Sequence, residues 1–208
     1  MPAWPSLLTF CVAALLLNIA PGPDMLYVIG RSIGQGRRAG IVSSLGIGVG
    51  CLFHVAAAAI GLAALLRSSP VAYHVVRYAG AAYLVYLAIK ILSDRTNALT
   101  TPDVAPEPMS AIFRQGVITN ILNPKVALFF VAFLPQFTDP SRGPVVLQIL
   151  VLGLWFDVGG TLVNLAVAYA GGRLGDSIRR MPRLARFQRW LTGIVFLGLG
   201  FRLAFSRK

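Results

Sequence analysis

Residues 6–30 read SLLTFCVAALLLNIAPGPDMLYVIG. The stretch is long enough to cross a hydrocarbon core of about 30 Å as a helix. No charge interrupts it before Asp24. Two prolines flank Gly22, and the carboxylate of Asp24 follows at once. Proline lacks an N–H and its ring clashes with the preceding turn, so Pro21-Gly22-Pro23 breaks the helix. Backbone freed by such a break inside a bilayer is tolerated only where it is buried in protein or lines a cavity. A broken span with an acid at its centre is therefore the unit from which the fold follows.

The rest of the chain has the same solvent in mind. Of 208 residues, 56% are hydrophobic and only 12% charged, with a mean hydropathy of +0.72. That is half the charged share of a soluble domain, which argues against a soluble enzyme. The net charge of +12 could suggest nucleic acid, but a nucleic-acid binder displays its charge on a solvated face. Here the basic clusters are separated by apolar stretches. Spans are predicted near 6–30, 40–66, 71–92, 111–134, 144–171 and 187–205. Cys11 and Cys51 both fall in spans and form no disulfide framework. The uncharged N-terminus and the absence of a cleavage site make the first stretch a true span, not a signal peptide. Twelve Lys/Arg fall in the 1–2, 3–4 and 5–6 loops and six on the other side. Cytoplasmic loops carry that excess, so both termini are expected outside.

The chain also repeats itself. Gly50-x-x-Phe53-His54-Val55 matches Gly153-x-x-Phe156-Asp157-Val158 at an offset of 103 residues, and Asn18-Ile19 matches Asn120-Ile121 at 102. Gly80-x-x-Tyr83-Leu84 matches Gly193-x-x-Phe196-Leu197. The predicted division is a first three-helix repeat over 1–93, a cytoplasmic linker over 94–110 with Pro102, Pro106 and Pro108, and a second repeat over 111–208. Because three spans are odd, the second copy enters from the opposite side. The expected fold is thus all-α and polytopic, a 3+3 inverted repeat of six transmembrane helices with helices 1 and 4 broken. That architecture places a substrate site near the midplane, between the repeats.

In the second copy, Asn123-Pro124 breaks the helix where Pro21-Gly22-Pro23 breaks the first, and Lys125 takes the place of Asp24. Helices restarting after a break aim their N-terminal amides inward and favour anions. Charges within a membrane face the bundle interior and find partners, so Asp24 and Lys125 are expected to approach one another. Either they lock the repeats together, or Lys125 receives a carboxylate while Asp24 receives an ammonium group or a proton. Gly153, Asp157, Gly160, Asn164, Ala168 and Gly171 form one helical stripe, and Gly46, Gly50, His54, Ala57 and Gly61 form another. These stripes read first as packing faces, able to serve a homo-oligomer as well as internal contacts. Asp157 reads as a proton carrier or ammonium partner, and His54 either as a core histidine or as a proton-coupling group. Phe129, Phe130, Phe133 and Phe137 read as packing or lipid-facing residues.

Taken in order, these motifs resemble the LysE/RhtB family of amino-acid exporters over nearly the whole chain. The resemblance is carried by Pro21-Gly22-Pro23-Asp24, Gly36-Arg37-Arg38-Ala39-Gly40 and Gly80-Ala81-Ala82-Tyr83-Leu84. It continues with Phe113-x-x-Gly116-x-x-x-Asn120-x-x-Asn123-Pro124-Lys125 and Phe133-Leu134-Pro135-Gln136-Phe137. The last of these looks like the homoserine/threonine-type branch. The resemblance implies a carrier of the bacterial inner membrane that exports amino acids or close derivatives, driven by proton antiport, with no cofactor. It marks Pro21, Gly22, Pro23, Asn123, Pro124 and Lys125 as motif positions, and Asp24 and Asn120 with them. Family members often carry Thr or Ser where this chain has Ala20, a departure that bears on substrate choice. Two other classes compete. A non-transporting scaffold or envelope-stress protein predicts no polar cavity beside Pro23 and Lys125. An intramembrane enzyme needs a nucleophile–base pair or a metal cluster, and His54 has no such partner at useful spacing, while His74 lies near a loop at the start of its span.

Overall fold

A computed structural model describes residues 4–20, 22–68, 70–93, 105–179 and 182–205. Pro21, the linker segment 94–104 and the side chains of 172–186, which carry most of the arginines of the expected 5–6 loop, lie outside the described residues. The described chain is helical: α1 (Trp4–Ile19), α2 (Pro23–Gln35), α3 (Arg37–Ser68), α4 (Pro70–Ser93), α5 (Met109–Ile121), α6 (Pro124–Leu128), α7 (Val145–Arg179) and α8 (Pro182–Phe205). From α6 the chain continues as a π-helical turn, Phe129–Phe133, and a 3-10 turn, Leu134–Phe137. Among the described residues, α3 and α7 are long and apolar enough to cross a bilayer. Counting the bent pairs α1/α2 and α5/α6 as one broken span each raises the number to four.

Both breaks follow from proline. α1 and α2 meet at 46°, and α5 and the α6 segment at 43°. Gly22 caps α2 in an extended conformation, with Pro23 opening the helix. Asn123 caps α6, its Oδ1 accepting from the backbone N–H of Lys125, with Pro124 at the first helical position. Proline suits that position because its missing N–H would be unpaired there anyway.

The expected loop between residues 30 and 40 shrinks to one residue. Gly36, with φ of +85°, turns α2 directly into α3, a backbone conformation that glycine adopts without strain. This places Arg31 inside the fold and not in a solvated loop, at 3% exposure. Burial is tolerated because its guanidinium is paired: Nη2 lies 2.9 Å from Glu107 and donates to Gln115 Oε1 at 2.7 Å, while Nη1 donates to the Ala105 carbonyl at 3.1 Å. The described end of the linker is thereby strapped to α2 and α5. Gln35 adds to the strap, donating to the Glu107 carbonyl and accepting from the Glu107 N–H.

The hydrogen bond from Arg31, supported by Gln115 and by the charge of Arg114, holds the Glu107 carboxyl below its ordinary value of 4.5. A carboxyl depressed in the folded state contributes stability above the unfolded value and loses it as pH falls through the folded one. Amide-exchange protection of Ala105–Glu107 is therefore expected to drop as pH falls below about 4.5, and Glu107→Gln should remove that dependence.

The small-residue stripes are close contacts. A Cβ at Gly50 would lie 2.6 Å from the Val117 carbonyl and 2.8 Å from Asn120 Cβ, so α3 and α5 meet backbone to backbone. Gly160 admits Asn18 of α1, and Gly153 admits Phe130 and Val55. α4 packs along α8, with Gly193 against Leu92 and Gly200 against Val85. Gly50→Val is expected to lower stability by about 1–3 kcal/mol through overpacking, measurable as a lower thermal midpoint in detergent. The core is aromatic, with Phe10, Phe129, Phe130, Phe133 and Phe156 buried together. Outside, Ile60, Trp155, Leu162 and Phe201 are each more than half exposed. So much exposed apolar surface suits hydrocarbon and not water.

Candidate functional site

At each break an ionisable side chain from another element donates to carbonyls at the helix end; at the second, it joins the Asn123 N–H, which already reaches the Asn120 carbonyl at 2.9 Å. In a continuous helix, the carbonyl of Leu17 would accept from residue 21, a proline with no N–H to give. Lys125 Nζ donates instead, to Leu17 O at 3.2 Å and Ala20 O at 2.8 Å. At the second break, the partner of the Asn120 carbonyl would be Pro124. His54 Nε2 donates there at 3.0 Å, while its ring stacks on Phe130. Gly22 packs closely against this arrangement, since a Cβ would stand 3.1 Å from Lys125 Nζ.

Between the breaks lies a small polar cavity. Asp24, Asn120, Lys125 and Asp157 line it, together with Asn18, Cys51, Thr161 and Asn164. Asp24, Asn120 and Lys125 are all buried. Asn120 Nδ2 donates to Asp24 Oδ2 at 2.9 Å. Asp24 Oδ1 and Asn120 Oδ1 remain buried without a partner. Asn123 stands beside the same carboxylate, yet its Nδ2 closes no hydrogen bond. Native interiors leave few such atoms unpaired, and each asks for a reason. About 30 Å³ of the cavity is open to the centre of a water-sized sphere, room for roughly two waters.

The structure thus brings four of the expected residues, Asp24, Asn120, Lys125 and Asp157, to one cavity, with Gly22 and Asn123 packed behind them. Asp24 and Lys125 line it together but form no ion pair within 4 Å; among the described residues the salt bridges are Arg31–Glu107 and Arg142–Asp139. The Lys125 ammonium has turned to the open end of α1 instead, because uncapped carbonyls in an apolar interior compete strongly for a donor. Pro23 and Pro124 open their helices and contribute geometry, not contacts. His54 supports the second break from behind and is not among the lining residues. Asp157 lines the cavity together with Cys51 and Thr161.

Asn18, Cys51, Thr161 and Asn164 line the cavity and are not among the expected site residues. Asn18, whose Nδ2 donates to the Phe156 carbonyl at 3.1 Å, is the repeat partner of Asn120. Asn164 shares the Asp157 stripe. Both signals were visible as spacing. Thr161 had none beyond its place one turn after Asp157.

The model of the LysE type translocator family matches residues 15–207. The chain belongs to that family. It is a translocator, not an enzyme, and its apolar helices make it a multi-pass membrane protein. The translocator is 31% identical over 200 residues to the leucine efflux protein of Salmonella typhimurium (strain LT2), covering 94% of this chain and 93% of the relative. It is 31% identical over 198 residues to the leucine efflux protein of Klebsiella pneumoniae subsp. pneumoniae, with 95% and 93% covered. The leucine efflux protein of Enterobacter sp. (strain 638) is 30% identical over 199 residues, with 94% and 93% covered. No solved structure matches the translocator.

Proposed function

We propose that this protein exports amino acids, leucine and similar aliphatic ones first among them, from the cytoplasm across the inner membrane. The observation that carries the reading is the pairing of unsatisfied buried groups in one cavity. Asp24 Oδ1 and Asn120 Oδ1 are acceptors without donors, and Lys125 is a cation held only by neutral carbonyls. A zwitterion answers both. Its ammonium group fits the two oxygens, and its carboxylate draws Lys125 away from α1. The substrate name comes from the relatives, each called a leucine efflux protein.

The reading includes six spans arranged as a 3+3 inverted repeat, with both termini outside and the division at residues 94–110. Its support is the doubling of parts. Two bent pairs flank the site at nearly equal angles. α3 lies along α5 as α7 lies along α1 and α2, and the counterparts α3 and α7, and α4 and α8, pack on each other. The mechanism proposed is alternating access with proton antiport. A proton taken up by Asp24 or Asp157 neutralises the ammonium's partner, so substrate leaves on the side where protons enter. Passage of the substrate through the cavity is proposed to involve parting of the helices around it.

Labelled leucine loaded into cells with and without the protein tests this. Faster efflux with the protein, abolished by a protonophore, is the expected result. Equal efflux overturns the substrate assignment, and protonophore-insensitive efflux overturns the coupling.

A further inference from the structure

We infer that two gates of unlike chemistry close the site, a polar latch of Tyr27, Arg31, Glu107 and Gln115 at its cytoplasmic end and an aromatic plug of Phe10, Phe129, Phe133 and Phe137 at the opposite end. The inference rests on the alternating-access reading above and adds the residues that perform it.

The latch joins α2 to α5 beyond the cavity. Along α2, Arg31 lies seven residues past Asp24, about 10 Å. Along α5, Gln115 lies five residues before Asn120, about 7–8 Å. There Tyr27 Oη donates to the Ile112 carbonyl at 2.8 Å, Arg31 to Gln115 at 2.7 Å, and Gln115 Nε2 to Glu107 at 2.6 Å. α2 and α5 both pack on α3, and the network is the polar link that joins them directly at this level. The exposed bases Arg37, Arg38 and Arg114 lie close in sequence to the latch residues Gln35 and Gln115, and on the Lys/Arg bias this end is taken as cytoplasmic.

The plug joins α1 to the α6 segment on the other side. Phe10 meets Phe137 edge to face at 5.3 Å and Phe129 at 5.9 Å, while Phe133 lies 5.1 Å from Phe137 and 5.5 Å from Phe129, centroid to centroid. The two clusters occupy matching positions. The offset of 102 residues that aligns Asn18 with Asn120 also aligns Phe10 with Ile112, Arg31 with Phe133 and Gln35 with Phe137. Pro23 and Pro124 align at 101, and the π-helical turn at Phe129–Phe133 takes up the missing residue, since such a turn inserts one. The repeats thus present the same pair of surfaces twice. One pair is zipped by hydrogen bonds and an ion pair, the other by ring packing.

Cys51 lines the cavity between the gates and serves as the reporter on a Cys11→Ala background. Right-side-out and inverted membrane vesicles are treated with a membrane-impermeant maleimide. Glu107→Gln with Arg31→Gln is expected to raise Cys51 labelling about tenfold from the cytoplasmic face and leave the outer face unchanged. Phe137→Leu, or Phe10→Ala if the milder change is silent, is expected to do the reverse. Labelling of both variants from one face, from both faces, with the faces exchanged, or not at all overturns the two-gate assignment; a variant that has merely unfolded labels from both faces and shows no monodisperse peak in detergent, and is replaced by its milder counterpart, Glu107→Gln alone or Phe133→Leu. Leucine efflux on the unsubstituted protein keeps the readings apart. Its absence negates the export reading, whereas normal efflux with face-blind labelling negates the gates alone.

Discussion

Lys125→Met is expected to lower leucine export by roughly ten- to a hundredfold and to lower stability at the same time. The two effects share one cause. The ammonium group satisfies the carbonyls of Leu17 and Ala20 at the open end of α1, and a thioether cannot. Each carbonyl left unsatisfied in the interior costs about 1–3 kcal/mol, enough to show in a thermal midpoint. Methionine fills much the same volume, so the loss is not one of packing. It also leaves Asp24 as a buried acid without the cation across the cavity. For transport, the substrate carboxylate loses its cation, and a charge-assisted contact is worth about 1.5–3 kcal/mol, or roughly ten- to a hundredfold. Efflux assays and thermal unfolding in detergent read the two consequences separately.

Asp24→Asn is expected to lose export to a similar degree while harming the fold less. The amide keeps the shape of the carboxylate and can still accept from Asn120 Nδ2. Lys125 remains satisfied by the α1 carbonyls. What disappears is the negative charge opposite the ammonium group and the proton acceptor that couples its release. The double variant Asp24→Asn/Lys125→Met discriminates between charge and packing. It should be more stable than Lys125→Met alone, because no uncompensated acid remains at the break, and it should still fail to export. Strict additivity of the two stability losses would mean that the groups do not sense each other across the cavity.

Much of this was readable from residue order. A proline in an apolar run breaks a helix wherever the run folds, so both breaks were visible at Pro23 and Pro124. Buried charges must face inward, so Asp24, Lys125 and Asp157 could be assigned to one interior. What residue order could not supply was the choice of partner. Lys125 turns toward Leu17 and Ala20 and forms no ion pair with Asp24, because the competition between a carboxylate and two uncapped carbonyls depends on distances set by the bend. Arg31 read as a loop base because its acid, Glu107, lies 76 residues away. Nothing near it announces a pairing until α2, α5 and the linker converge. Asn18 matches Asn120 in the repeat but carries no sign of lining a site, since an uncharged amide in a span is easily satisfied.

The central claim is that the buried pair of Asp24 and Lys125 carries an amino acid across the membrane. Purified protein in liposomes with labelled leucine inside and an imposed proton gradient, acidic outside, measures this most directly. The account predicts gradient-driven leucine efflux from wild-type liposomes and none above protein-free background from Asp24→Asn or Lys125→Met. Wild-type rates in both variants would contradict it.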